Sequence, residues 1–261
     1  MQLLAFLINL VAPLGASPLA ASEAVPWQMG FQEPATSLME RVIALNNFIL
    51  ILITAICVLV LVLLVWCIFR YHESRNPTPS TTSHNTLLEI VWTLIPVSII
   101  ISVAIPATHL LYYQERIPQT ELTIKATGYQ WYWGYEYPDH EGLSFDALML
   151  AEEELPPNKP RLLSTDNVVV VPVDTNIRLL VTAGDVLHSW AMPAFGVKID
   201  GVPGRINQVW FRANKEGVFY GQCSELCGRG HAFMPIELKV VSREAFKRWV
   251  AAKKKELAFA E

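Results

Sequence analysis

The sequence predicts a membrane helical hairpin, made of two transmembrane α-helices, followed by an all-β Greek-key barrel. Two long uncharged stretches lie in the first 118 residues, and seven short β-rich segments lie between residues 117 and 241. Of the 261 residues, 52% are hydrophobic and only 17% are charged. This composition is more apolar than that of a typical soluble domain, and the two uncharged stretches account for the difference.

The first 22 residues resemble a secretory signal peptide. An apolar run, Leu3 to Leu14, precedes a series of small residues that ends at Ser22. This order is typical of an export signal, so we expect residues 1–22 to be removed. No Lys or Arg precedes the apolar run, and an uncleaved apolar arm is therefore the alternative.

The first predicted span is Val42 to Phe69, which has no charged residue and is bounded by Arg41 and Arg70. As a helix it would be ~42 Å long, whereas the hydrocarbon core of a bilayer is ~30 Å thick. The helix can therefore cross the membrane with tilt or project beyond it.

The second predicted span is Ile90 to Gln114, in which Pro96 and Pro106 are positions where the helix could kink. A buried core helix is the alternative. Two spans joined by a polar loop make a hairpin, so residues 23–116 form the N-terminal segment and membrane part. An exported N-terminus followed by two spans places the remainder of the chain outside the membrane.

Residues 117–241 show the sequence pattern of a β-domain, with turn residues between short β-rich segments. Several such strands over about 120 residues favour a β-sandwich or barrel of Greek-key type. The predicted strands are Leu122–Ala126, Gln130–Tyr137, Val168–Val173, Asn176–Thr182, Gln208–Phe211, Val218–Gly221 and Ile236–Val241. A helix from Ser242 to Ala258 is predicted in the last segment, residues 242–261, because Ser242 is a good N-cap and apolar residues follow at helical spacing.

The most specific motif is a run of soft metal donors in the β-domain: Cys223, Cys227, His231 and Met234 lie within twelve residues, and His188 lies 35 residues upstream. Thiolate, thioether and imidazole donors together select copper over harder cations. Structural zinc sites use Cys and His and have no need of a thioether.

Counting these donors predicts two metals rather than one. A mononuclear blue-copper site uses one Cys, and this loop has one thiolate too many. If both sulfurs bridge two metals, each metal has two sulfurs and one His, with Met234 and a loop carbonyl completing the sites. The alternative is a Cys223–Cys227 disulfide, because an extracytoplasmic compartment is oxidising.

With these residues in view, the chain resembles subunit II of cytochrome c oxidase, from about Trp27 to Val241. The resemblance is carried by the loop, His188, the run Gln130–Trp133 and the two-helix N-terminal part. It implies a cupredoxin-like barrel that holds the binuclear copper centre called CuA. The implied bridging ligands are Cys223 and Cys227, the terminal ligands are His188 and His231, and the weak ligands are Met234 and the Glu225 carbonyl.

The resemblance also implies that Trp131 is the exposed aromatic through which cytochrome c delivers its electron. On an extended strand, Trp131, Trp133, Tyr135 and Tyr137 share one side. Packing inside the barrel is the alternative for these aromatics, and it is the favoured one for three of them. The acids implied to surround the docking site are Glu136, Asp139, Glu141 and Asp185.

Two further carboxylates have roles implied only by the resemblance. The Glu225 side chain would bind a magnesium ion shared with subunit I, unless it is merely a loop acid. Glu89 would lie at the mouth of a proton channel in subunit I. The alternative for Glu89 is an acid that marks the membrane boundary or a helix N-terminus.

The function predicted from these features is delivery of electrons into a respiratory cytochrome c oxidase. The copper centre would accept electrons from cytochrome c and pass them to haem in subunit I, for oxygen reduction coupled to proton pumping. Further oxidase subunits and membrane lipid are expected partners. The export signal favours a bacterial inner membrane over a mitochondrial one, with the barrel in the periplasm.

Other functions are less well supported. A membrane-anchored copper carrier or chaperone would bind one exchangeable copper, and a quinol oxidase subunit II would lack the copper ligands. The β-domain carries 15 acidic and 10 basic side chains, a balance that argues against nucleic-acid binding.

Overall fold

A computed structural model describes residues 23–78, 80–157 and 159–259 of the chain. The predicted signal peptide lies outside the described residues. The rest is a helical hairpin followed by a β-sandwich and a C-terminal helix, so the predicted fold class is confirmed.

The hairpin consists of helices α1, Ser37–Arg70, and α2, Thr86–Glu115. Each begins at a side-chain N-cap: the Thr36 hydroxyl accepts the Met39 N–H, and the Asn85 amide oxygen accepts the Leu88 N–H. Both helices are long and apolar enough to cross a membrane, and most of their side chains are exposed. Helix α2 runs through both of its prolines as one element.

The β-sandwich contains ten strands in two five-stranded sheets. The first sheet has the order β3-β2-β1-β5-β8 and the second has the order β4-β10-β9-β6-β7. Most neighbours are antiparallel, but β1 pairs with β5 and β4 pairs with β10 in parallel. The strands are β1 Leu122–Tyr129, β2 Tyr132–Tyr137, β3 Leu143–Ala147, β4 Val169–Pro172, β5 Ile177–Ala183, β6 His188–Met192, β7 Val197–Gly201, β8 Asn207–Phe211, β9 Gly217–Cys223 and β10 Pro235–Val241.

Three of these strands, β3, β6 and β7, were not predicted. All five residues of β6 are buried, so its sequence shows no polar alternation for a pattern search to detect. Strand β3 alternates, but it is only five residues long and presents Ser and Asp outward. The predicted strand Gln130–Tyr137 was wrong at its start, because Gln130 and Trp131 form the turn between β1 and β2.

The core lies between the two sheets and is rich in aromatic side chains. Trp133, Tyr137, Trp190, Phe195 and Phe211 are each no more than 1% exposed. Such large rings contribute much of the apolar area that folding removes from water.

Helix α3, Arg243–Ala258, closes one end of the sandwich. The Ser242 hydroxyl caps it by accepting the Ala245 N–H, as its sequence predicts. The ring of Trp249 contacts Tyr137 and Phe145, so the helix covers the edge of the aromatic core.

Hydrogen bonds to backbone carbonyls join the hairpin to the sandwich, and two of them lie just beyond the end of β6. The Ala35 N–H donates to the Ala194 carbonyl at 2.9 Å, and the Thr36 hydroxyl donates to the Phe195 carbonyl at 2.8 Å. The Trp210 indole N–H donates to the Gln114 carbonyl near the end of α2. The membrane part and the β-domain therefore share buried contacts in addition to the covalent link.

The buried hydroxyl of Tyr137 generates a stability prediction. It donates to the Val170 carbonyl at 3.0 Å and lies 3.1 Å from the Val170 N–H, and so joins the two sheets. Tyr137→Phe leaves both backbone groups without a partner in the core, and should lower the free energy of unfolding by about 2–3 kcal/mol. Urea unfolding of the fragment 117–261, followed by tryptophan fluorescence, measures this. Tyr132→Phe is the matched control on the outer face of the same strand. Equal stability of the two variants would contradict the role given to Tyr137.

Candidate metal centre

The predicted donors meet at one end of the sandwich because three strands begin or end there. His188 is the first residue of β6, Cys223 is the last of β9, and Met234 directly precedes β10. Strands β6 and β9 are antiparallel, with Trp190 opposite Cys223. A Cβ on Gly221 would lie 2.0 Å from the Ala191 carbonyl oxygen, so only glycine allows these two strands to approach this closely.

The four principal donors form a row with the sulfurs at its centre. Cys223 Sγ lies 3.8 Å from His188 Nδ1 and 3.9 Å from Cys227 Sγ. Cys227 Sγ lies 3.6 Å from both His231 Nδ1 and Met234 Sδ. The carbonyl oxygen of Glu225 lies 3.4 Å from Cys223 Sγ. Each sulfur therefore has an imidazole beside it, and each end of the row has one additional weak donor.

These separations fit donors that share a metal. Two donors bound to one ion at 2.0–2.3 Å in tetrahedral geometry lie roughly 3.3–3.8 Å apart. The two sulfurs are not bonded to each other, and all four cysteines, which lie within the described residues, are free. The disulfide alternative is therefore not the arrangement of this fold. His188, Cys223 and Cys227 are all buried and form a His/Cys/Cys cluster consistent with a copper site.

The two thiols differ strongly in acidity. Burial raises the pKa of Cys223, but hydrogen bonds from His188 and from nearby backbone groups outweigh burial and lower that pKa to about 6. Burial and the neighbouring Cys223 thiolate raise the pKa of Cys227 to about 12. The protein alone thus favours one thiolate in this pair, and the second requires added positive charge, which bound metal ions would supply.

Asp185 orients the His188 ring. Its carboxylate lies 2.8 Å from His188 Nε2, which leaves Nδ1 directed at Cys223. Burial raises the pKa of Asp185, but the hydrogen bond from His188 and those from the Val186 and Gln130 N–H groups lower it below its ordinary value. A Cβ on Gly128 would lie 2.7 Å from the His188 ring, so the ring fits closely over this glycine. Contacts of this kind fix the tautomer and direction of a ligating imidazole.

Trp131 is half-buried in the β1–β2 turn. It directly contacts the segment Cys223–Met234, which carries four of the candidate donors and is called the ligand loop below. Its indole N–H donates to the Cys227 carbonyl at 3.1 Å, and the Gln130 side-chain amide donates to the same carbonyl at 2.8 Å. A Cβ on Gly230 would lie 2.3 Å from the indole ring, which therefore requires a glycine beneath it. Trp133, Tyr135 and Tyr137 are buried in the core, so Trp131 alone of the four predicted aromatics reaches this surface.

Sequence reasoning did not find Gln130, Gly128, Gly230 or the bond between Asp185 and His188. Gly128 and Gly230 lie close in sequence to the predicted site residues Trp131 and His231. A glycine in a sequence does not, however, indicate which side chain packs against it. Asp185 was predicted as a docking acid, and its place three residues before His188 is the only available signal of its contact with that ring.

The structure places just one of the four predicted docking acids, Asp185, beside Trp131. Glu136 lies five residues along the extended strand, ~17 Å away, and its carboxylate pairs with Lys125 at 3.2 Å. Asp139 accepts the Thr123 N–H, and Glu141 pairs with Lys254 at 2.9 Å. Of these three acids, Glu141 contacts helix α3, and the other two contact groups on β1.

The two remaining predicted carboxylates lie in different parts of the chain. Glu225 is half-buried in the ligand loop between the two cysteines. Glu89 lies in the first turn of α2, at the opposite end of that helix from the β-domain. The site therefore includes Glu225 and does not include Glu89.

Comparison with known proteins agrees with this geometry. The family described as cytochrome C oxidase subunit II, periplasmic domain, matches residues 122–241, and the corresponding transmembrane domain matches residues 24–110. A probable cytochrome c oxidase subunit 2 of Rickettsia felis is 52% identical over 90% of this chain and 75% of its own length. The cytochrome c oxidase subunit 2 of Arabidopsis thaliana is 47% identical over 90% of this chain and 92% of its own.

The fold of the β-domain is also similar to that of a solved structure. The periplasmic domain of subunit II of cytochrome oxidase (CoxB) of Bradyrhizobium japonicum has a TM-score of 0.51 and 56% sequence identity, covering 54% of this chain and 99% of that one. The two apolar helices match the transmembrane part of the same family, so the chain is membrane-anchored and its β-domain corresponds to the periplasmic domain. The chain belongs to the cytochrome c oxidase subunit II family and is a subunit of an oxidoreductase complex.

Proposed function

We propose that this chain receives electrons for the oxidase at a binuclear copper centre. The observation that carries the proposal is the row of donors in which two free sulfurs lie between two imidazoles. Cys223 and Cys227 would bridge two copper ions, and His188 and His231 would bind one ion each. Met234 and the Glu225 carbonyl would complete the two sites. The copper pair would supply one-electron redox chemistry.

The protein's own residues suit electron transfer better than catalysis on a bound substrate. Cys223, Cys227, His188 and Met234 are buried, and the donors present fill both sites. Asp185 and Gly128 hold His188, while Gln130 and Trp131 hold the Cys227 carbonyl. A centre enclosed and held in this way excludes water and leaves no open ligand position.

Trp131 is the proposed residue at which electrons enter. It is the half-buried aromatic on this surface whose N–H is hydrogen-bonded to the backbone of a bridging cysteine. An electron arriving at the indole is thus one hydrogen bond from the copper ligands. The proposed donor is cytochrome c, whose basic surface would face Asp185 and the more distant Glu136, Asp139 and Glu141, since complementary charge speeds encounter.

The proposed acceptor is haem in subunit I, with oxygen reduction coupled to proton pumping. Further oxidase subunits would complete the complex. The β-domain would lie in the periplasm of a bacterium, above the inner membrane, because the chain begins with an export-like segment and is similar to bacterial relatives. Glu225 would bind magnesium at the boundary with subunit I, and Glu89 would lie at the mouth of a proton channel.

The first prediction concerns metal content. The full-length chain should bind two coppers, and its electron paramagnetic resonance spectrum should show one unpaired electron shared between them. Cys227→Ser should lose this spectrum because it removes one bridge. The double variant Cys57→Ser/Cys67→Ser, which changes the two thiols in α1, is the matched control and should keep it. A single exchangeable copper in the unmodified chain would instead indicate a copper carrier.

The second prediction concerns the route of the electron. Trp131→Ala should abolish fast reduction of copper by cytochrome c while leaving the copper spectrum and cytochrome binding intact. Trp131→Phe keeps an aromatic ring but removes the N–H bonded to Cys227, and should retain an intermediate rate. Trp249→Phe, in α3, is the control. Stopped-flow reduction kinetics measure the rates, and a normal rate in Trp131→Ala would refute the role of Trp131.

The third prediction concerns the Glu225 side chain. In the assembled oxidase, Glu225→Gln should lower the magnesium content and leave the copper content unchanged, because the proposed copper ligand at this residue is its backbone carbonyl, 3.4 Å from Cys223 Sγ. Elemental analysis measures both metals, and an unchanged magnesium content would contradict the role given to Glu225.

The fourth prediction concerns Glu89. Glu89→Ala should slow turnover without altering the copper or magnesium content. Oxygen consumption measures turnover, and an unchanged rate would contradict the role given to Glu89.

A further inference from the structure

A groove of about 540 Å³ lies between helices α1 and α2, at the end of the hairpin that adjoins the β-domain. Arg41 and His109 lie at its outer end. Its remaining lining is apolar and includes Ala44, Phe48 and Ile105. Arg41 and Phe48 are seven residues apart on one helix, so the groove extends ~10 Å along the helix axis.

The two basic side chains at the outer end have unused hydrogen-bonding capacity. Within the described residues, neither Arg41 nor His109 has an ion pair or a side-chain hydrogen bond. The Arg41 guanidinium lies over the Tyr113 ring, 4.2 Å from its centroid, and the Tyr113 hydroxyl is hydrogen-bonded to Ser37 at 2.8 Å. This stacking holds the guanidinium in place and leaves its in-plane N–H donors available.

The position of Arg41 relative to the membrane indicates the class of ligand. Arg41 directly precedes the uncharged stretch that begins at Val42, so it lies where lipid phosphates are found. A guanidinium matches a phosphate group in geometry and charge. Below Arg41 and His109 the groove offers only apolar side chains, which suit a hydrocarbon chain. A guanidinium with a second N–H donor beside it, above an apolar slot, matches the charge and shape of a phospholipid.

We propose that this groove binds one phospholipid, with its phosphate on Arg41 and His109 and an acyl chain along Ala44, Phe48 and Ile105. The bound lipid would fill the space between the two helices and neutralise the Arg41 charge, for which the described part of the protein provides no carboxylate partner. The inference depends only on the membrane anchorage of the chain. It would stand or fall independently of the copper centre.

The test compares two groove variants with one control. Arg41→Gln/His109→Gln removes the phosphate contacts, and Ala44→Phe fills the apolar part while leaving Arg41 and His109 in place. Arg116→Gln removes one charge just beyond the end of α2, from a residue that does not line the groove. The full-length chain and the subunits that stay with it are extracted in mild detergent, and bound phospholipids are counted and identified by native mass spectrometry.

Each groove variant should lose one phospholipid per chain, with at least about a fivefold fall in occupancy, and Arg116→Gln should lose none. Unchanged lipid counts in both groove variants would overturn the proposal. A photo-crosslinker at position 48 should label lipid, and an adduct to another protein subunit would show that a subunit covers the groove. If the double variant is not recovered from membranes, Ala44→Phe and the crosslinker decide the question.

Discussion

The close contact between strands β6 and β9 is the constraint on which the metal centre depends. Gly221 lies against the Ala191 carbonyl at a distance that a Cβ would make impossible. This contact sets the register that places His188 and Cys223 side by side on two different strands. Because β10 pairs with β9 in turn, Met234 reaches the same end of the sandwich. The ligand loop therefore starts and finishes on a rigid frame, and only its interior residues depend on loop conformation.

A second constraint is electrostatic and concerns the two sulfurs. Their environments push the acidities of Cys223 and Cys227 in opposite directions, since a hydrogen-bonded thiolate disfavours a second one beside it. Hydrogen bonds from His188 and from nearby backbone groups stabilise the first negative charge, and the second charge depends on cations at the site. The soft donors favour a soft metal, and the uncompensated charge of the second thiolate favours a cation. Both observations therefore indicate a soft metal cation such as copper.

The sequence was sufficient for the hairpin, the ligand row and the C-terminal helix, because each rests on a local signal: missing charges, donor spacing, or a cap followed by apolar periodicity. It was insufficient for β6, whose five residues are all buried and show no alternation. It also misplaced Trp131 on a strand face, because the point at which β1 turns into β2 depends on pairing with distant strands. The bond from Asp185 to His188 and the bonds on the Cys227 carbonyl join residues through tertiary structure, and a linear pattern does not encode them.

The two hydrogen bonds on the Cys227 carbonyl have a consequence for how the centre responds to a change of charge. Gln130 and Trp131 fix the backbone of Cys227, Asp185 fixes His188, and Gln130 in turn donates its own backbone N–H to Asp185. Hydrogen bonds through the β1–β2 turn thus connect the backbone of Cys227 with the ring of His188. If the site holds the proposed copper pair, ligands held in position in this way would move little when an electron arrives or leaves. The small reorganisation energy that follows would allow rapid transfer even when the difference in potential between donor and acceptor is slight.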